Sequence, residues 1–184
     1  MATNAQYLAS LVNSSGNIVV PVANAGIVFN NTNTTASPTS TTQNDYEVGN
    51  WTPRFDGSGT SGSATYQFQA GYYTKIGDMV YASYDIDAGS TLTGATGQLC
   101  IRGLPFTVAT NTYTYNPVGG GSVGYFNAFY LINPYTITHY LDQGGNYAYF
   151  VYGNAVGSSV QYMTTGNVAI NTRVIGVIIY RAQF

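Results

Sequence analysis

Charge is what this chain most lacks. Lys, Arg, Asp and Glu make up 7% of its 184 residues, where ordinary globular proteins carry about 25%. The net charge of -2 leaves no basic surface for neutralising phosphates, so nucleic acid is not an expected partner. Histidine and cysteine occur once each, as His139 and Cys100, which excludes an internal disulfide and a Cys/His zinc set. Cys100 sits in the apolar run Leu99-Cys100-Ile101 and reads as a buried, inert thiol. With so few titratable groups and no Gly-x-Ser-x-Gly elbow, acid–base or triad catalysis is not expected, nor is any cofactor. No apolar run reaches the roughly 18 to 20 residues that span a bilayer. The first residues also lack the basic region of a signal peptide. Membrane insertion is therefore not expected, and assembly in a cytoplasm is.

What the chain has instead is 18 tyrosines, 8 phenylalanines, 22 glycines and much Thr, Ser and Asn. A surface poor in charge and rich in tyrosine suits burial against other subunits, so self-association is expected.

Residues 1–44 read differently from 45–184. The run Ile18-Val19-Val20-Pro21-Val22 reads as a strand that its proline confines to an edge or an intermolecular contact. A tract of Asn, Thr, Ser and Pro from Asn30 to Asn44 then reads as an extended linker. Residues 1–44 are thus expected to form an attachment arm, with Ile18, Val19, Val20 and Val22 as its gripping residues.

Beyond Tyr46, short β-branched or aromatic runs alternate with Gly, Asn, Asp and Pro, and no helical period competes. The predicted strands are 50–55, 63–70, 71–76, 79–88, 96–102, 112–116, 122–132, 137–141, 147–152, 160–163 and 174–182. That spacing predicts an all-β, antiparallel β-sandwich or jelly-roll domain over 45–184. In Val80 to Asp87, the set Val80, Ala82, Tyr84 and Ile86 should face the core, leaving Tyr81, Ser83, Asp85 and Asp87 on a solvated face. Val174 to Tyr180 is apolar on both faces and predicts a strand buried twice, as a central strand or one covered by another subunit would be. Gly57 to Gly62 lacks the Lys-Ser/Thr of a phosphate loop and reads as a turn, and Gly119-Gly120-Gly121 reads as a flexible connection. Asp85 and Asp87 project from one strand face, yet two carboxylates define neither a glycosidase pair nor a calcium site, so no metal is assigned.

Several spaced strings run in order: Asp45-Tyr46-Glu47-Val48-Gly49-Asn50-Trp51-Thr52-Pro53, Ala64-Thr65-Tyr66, Gly71-Tyr72-Tyr73-Thr74-Lys75-Ile76-Gly77, and Gly103-Leu104-Pro105-Phe106. Together with Gly26-Ile27-Val28-Phe29, this set resembles a β-module of bacteriophage tail-fibre and other virion-surface proteins over roughly residues 24 to 106. The resemblance implies a homotrimer on the virion surface. It gives Tyr46, Glu47, Gly49, Trp51, Pro53, Tyr73, Lys75, Gly77 and Pro105 architectural roles, with Trp51 as the buried anchor.

Three functions follow from that resemblance. A tail-fibre or receptor-binding protein would touch host surface glycan through aromatic side chains, which crowd the second half of the chain, with the loop tyrosines Tyr113, Tyr115 and Tyr135 favoured over mid-strand ones. A capsid decoration protein would instead bind the major capsid protein through residues 1–44. A glycan-degrading enzyme ranks behind both, since no convergent carboxylate pair is legible.

Overall fold

A computed structural model describes residues 14–15, 27–28, 42–43, 45–110, 118–131, 136–153 and 159–183. The chain divides into two compact units, Met1–Tyr46 and Glu47–Phe184. In the first, β1 (Ile27–Val28) pairs antiparallel with β2 (Thr42–Gln43), so the end of the Asn/Thr tract is paired strand rather than free linker. Ile18, Val19, Val20 and Val22 lie outside the described residues.

The second unit is built from β3 (Tyr46–Trp51), β4 (Arg54–Gly57), β5 (Tyr66–Ile76), β6 (Met79–Ala88), β7 (Leu99–Arg102), β8 (Gly119–Phe129), β9 (Thr136–Tyr140), β10 (Tyr147–Gly153), β11 (Gln161–Tyr162) and β12 (Val168–Arg181). Their order is β3-β5-β6-β12-β8-β9-β10-β7-β4, with β11 beside β10. The sheet curls until its halves face each other. Tyr84 and Ile86 of β6 and Ile178 of β12 share one core with Ile101 of β7, Ile137 of β9 and Phe150 of β10. The two ends of the sheet, β3 and β4, are joined by Thr52-Pro53 alone. The predicted strand 50–55 therefore breaks there, because proline has no N–H for a ladder and suits the corner between the halves.

The predicted strands 63–70 and 71–76 fuse into β5. It forms a hairpin with β6 in which Ile76 lies opposite Met79, and Gly77 supplies the positive φ of 61° that the two-residue turn needs. Alternation in β6 is as read, with Val80, Ala82, Tyr84 and Ile86 all buried.

Two readings are corrected. Gly119-Gly120-Gly121 is not a flexible connection but the start of β8, paired with β12 on one side and β9 on the other. Glycine is needed there because a Cβ on Gly121 would lie 2.3 Å from the Val177 carbonyl oxygen. The central place expected for β12 holds, between β6 and β8, but only one of its faces is buried within the chain: Val174, Ile178 and Tyr180 enter the core, while Ile175 and Ile179 stay exposed on the outer face. Strand 112–116 lies outside the described residues.

Candidate recognition surface

Residues of three of the spaced strings, 47–53, 71–77 and 103–106, meet within the second unit. The Trp51 indole is buried over Gly71, donates from Nε1 to the Ser83 carbonyl at 3.1 Å, and meets the Tyr84 ring edge-on at 6.1 Å. Gly71 has no room for a side chain, since a Cβ would sit 2.5 Å from the indole nitrogen. The Tyr73 hydroxyl donates to Glu47, and its ring lies against the place a Cβ on Gly49 would occupy. Tyr73 also packs edge-on to Phe106 at 5.3 Å, and the buried Lys75 ammonium lies 5.4 Å from the same ring. The Pro53 carbonyl accepts from Gln69 Nε2 at 2.7 Å. Pro105 stands beside Phe106, half-buried, while Tyr46 is exposed. Phe106 N–H donates to the Tyr180 hydroxyl at 3.1 Å, tying this corner to β12.

Between the two halves, the Tyr84 hydroxyl reaches His139 Nε2 at 2.6 Å, and His139 Nδ1 faces the Tyr149 carbonyl. The ring is neutral in this arrangement, Nδ1–H donating and Nε2 accepting. Burial pulls its pKa down to about 4. It is buried and hydrogen-bonded between the two halves of the sheet. Cys100 is buried too, its thiol pushed up to about 11 by burial.

Register assembles something the strings did not announce on the outer face of β9, β10, β11 and β7. Tyr149 lies opposite Tyr140, Val151 opposite Tyr162, and Tyr147 opposite Arg102, so all of these share one face. Tyr140 and Tyr149 stack at 6.1 Å and 26°, while Tyr162 meets them edge-on at 6.2 and 5.6 Å. Tyr147 joins Tyr149 edge-on at 5.2 Å, and the Arg102 guanidinium lies 4.6 Å from the Tyr147 ring centre. Tyr140 and Tyr162 expose their rings. The Tyr140 hydroxyl is hydrogen-bonded to the Asp142 carboxylate, which raises its pKa.

Behind this ladder, Asp56 on β4 is fully buried. It accepts from the amides of Gly57 at 2.8 Å and Gly62 at 2.9 Å and from the Ser61 hydroxyl at 3.2 Å, which shapes the 57–62 turn. Arg54 hydrogen-bonds it at 3.2 Å, and Arg102 Nε pairs with it at 3.0 Å through charge, outside hydrogen-bond alignment. Burial alone would push this carboxyl up; the two amides, Arg54 and then Arg102 outweigh it and hold the pKa below its usual value. Arg102 therefore links the buried carboxylate to the exposed rings.

The outer face of β5, β6, β12 and β8 differs in character; Asp85 and Asp87 lie on it as expected, on the side of β6 away from the core. Asp85 is bound through both oxygens by Arg173, at 3.1 and 2.8 Å, amid exposed apolar side chains. Among the described residues no three His, Cys, Asp or Glu groups gather as a metal site.

Tyr113, Tyr115 and Tyr135 lie outside the described residues; the aromatic cluster that the structure displays is made of other tyrosines, carried on strands. Tyr147 and Tyr149, two apart, were legible as one face; Tyr140 and Tyr162 required the strand register.

No family model matches the chain, and no curated protein does. Among solved structures, the crystal structure of the Dettilon tailspike protein is similar over 74% of this chain, with 18% identity and a TM-score of 0.54. The matched part is 24% of that protein's chain. At this identity the likeness is one of fold: a curled antiparallel sheet.

Proposed function

We propose that this chain is a bacteriophage virion-surface protein of the tail that adheres to host surface glycan through the tyrosine ladder, without catalysis. The observation that carries this reading is the set of exposed Tyr140 and Tyr162 rings braced by Tyr149 and Tyr147. Flat aromatic faces suit the apolar side of a sugar ring. The Asp142 carboxylate and the Asn146 amide border the ladder and offer hydrogen bonds to sugar hydroxyls, and Arg102 adds a charged donor held in place by Asp56. The tailspike fold likeness and the resemblance of the spaced strings both support a virion location. Copies joined in the homotrimer that the resemblance implies would bind through several weak sites at once, and avidity would replace affinity at any single site.

The test is binding of the full-length protein to purified host surface polysaccharide, compared with the double variant Tyr140→Ala/Tyr162→Ala. About tenfold weaker binding, or more, is expected from the loss of two stacking rings. Unchanged binding would remove the ladder from the reading. Release of reducing ends from the same polysaccharide would overturn the non-catalytic part of it. Antibody labelling of intact particles should mark the tail; label over the capsid would favour decoration through residues 1–44.

A further inference from the structure

We infer that the outer face of β5, β6, β12 and β8 is a contact surface between copies of this chain. Cross-strand register puts Tyr72 opposite Ser83, and Val177 opposite Ser83 from the other side. Tyr81 is likewise flanked by Thr74 and Ile179, and Asp85 by Ala70 and Ile175. The residues of this face are therefore neighbours across adjoining strands. Phe68, Tyr72, Tyr81, Tyr125, Ile175 and Ile179 stand on it, each between 38% and 63% exposed. Ile76 and Met79 extend the patch at the hairpin end.

Area argues that this patch is covered. Taking roughly 200 Å² for a whole large side chain, these exposures leave about 750 Å² of apolar surface on one face. A stable interface buries about 800 Å² per partner, and contiguous apolar patches beyond a few hundred Å² mark interaction sites. A hollow of about 300 Å³ lined by Phe68, Tyr72 and Ile175 gives the patch relief, room for a side chain from a facing surface.

Charge argues for the occupant. Arg173 binds Asp85 through both oxygens and lies opposite Asp87 in register, while Arg181 pairs with Asp78 at 2.6 Å. The cations of this face are thus satisfied within it. An anionic lipid surface or an acidic partner would find no free cation among the described residues here and would face the Asp87 carboxylate besides, whereas a second apolar surface requires no cation. The chain carries such a surface, namely this face on another copy. With 7% charged residues overall, little elsewhere on the molecule opposes that association. Packing through this face leaves the tyrosine ladder, on the opposite outer face, open to solvent.

The inference does not depend on the glycan reading and is tested separately. Sedimentation velocity of the full chain should give a multiple of 19.6 kDa at micromolar concentration. Tyr81→Lys/Ile179→Lys should return it to 19.6 kDa with an unchanged far-ultraviolet circular dichroism spectrum, while Tyr140→Ala/Tyr162→Ala keeps the assembly. A wild-type monomer, or an oligomer indifferent to the two lysines, would overturn the assignment. If the lysine variant is insoluble, hydroxyl-radical labelling of the wild-type protein decides: Tyr72 and Tyr81 should be protected several-fold relative to Tyr140 and Tyr162, and equal labelling would overturn the assignment.

Discussion

Asp56 and Asp85 stand on the two outer faces of one sandwich and are used in opposite ways. Asp56 is buried and gathers two amides, a hydroxyl and two arginines, so a turn and the position of Arg102 depend on it. Asp85 has one arginine, and the pair does little beyond cancelling charge on a face otherwise made of Tyr, Phe and Ile. One face thus invests its few charges in holding an aromatic ladder toward solvent. The other removes charge so that an apolar surface can meet its like. In a chain with so few ionisable groups, where each is placed decides which face can bind what.

Removing the carboxylates is the strongest way to break that comparison. Asp56→Ala should cost about 3 kcal/mol in urea denaturation, because it leaves buried amides and a partly buried arginine without their acceptor. Asp85→Ala should leave the unfolding midpoint nearly unchanged, since Arg173 can turn to water. Equal losses would mean the two faces are not built differently.

Acid should act next, and at His139, which lies between the faces. Unfolded, this histidine takes up a proton near pH 6.5; folded, it does so only near pH 4. Protonation therefore favours the unfolded chain, and stability is lost as pH falls from about 6.5 to about 4, by about 3 kcal/mol in full. His139→Gln should flatten that part of the curve when midpoints are measured at pH 7, 5.5 and 4. The contribution of Asp56, whose pKa is lowered from 3.8, is lost only below that window, so the two groups separate by pH.

A smaller effect sharpens the inner side of the apolar face. Gly71→Ala places a methyl against the Trp51 indole and should cost about 1–3 kcal/mol, read from the denaturation midpoint together with tryptophan fluorescence. The smallest change is expected of Asp85→Asn, which keeps one acceptor for Arg173 and should move the thermal midpoint little.

Much of the fold was legible because strands of this kind are local statements. Alternation from Val80 to Ile86 picks out the core residues directly, and Gly77-Asp78 marks a hairpin by its length and its glycine. The readings that went astray share another physical origin. Three glycines in a row resemble a flexible link until the β12 backbone and the His139 ring are seen to crowd Gly121, and Val174 to Tyr180 looks doubly buried until its outer neighbours are known. The Asn171 in left-handed backbone, φ 63°, let β12 run on past its sequence boundary through an irregular register with β8.

The sequence alone determined the all-β class, the scarcity of charge, and the core face of β6, because a two-residue side-chain period and composition are properties of short stretches. Only the tertiary structure decided that Tyr140, Tyr149 and Tyr162 form one ladder, that Asp56 and Asp85 fall on opposite outer faces, and that the apolar side chains of β5, β6 and β12 adjoin. Those facts depend on the register between strands far apart in the chain. That register is set by the closing of a shared core, which no single stretch of residues encodes.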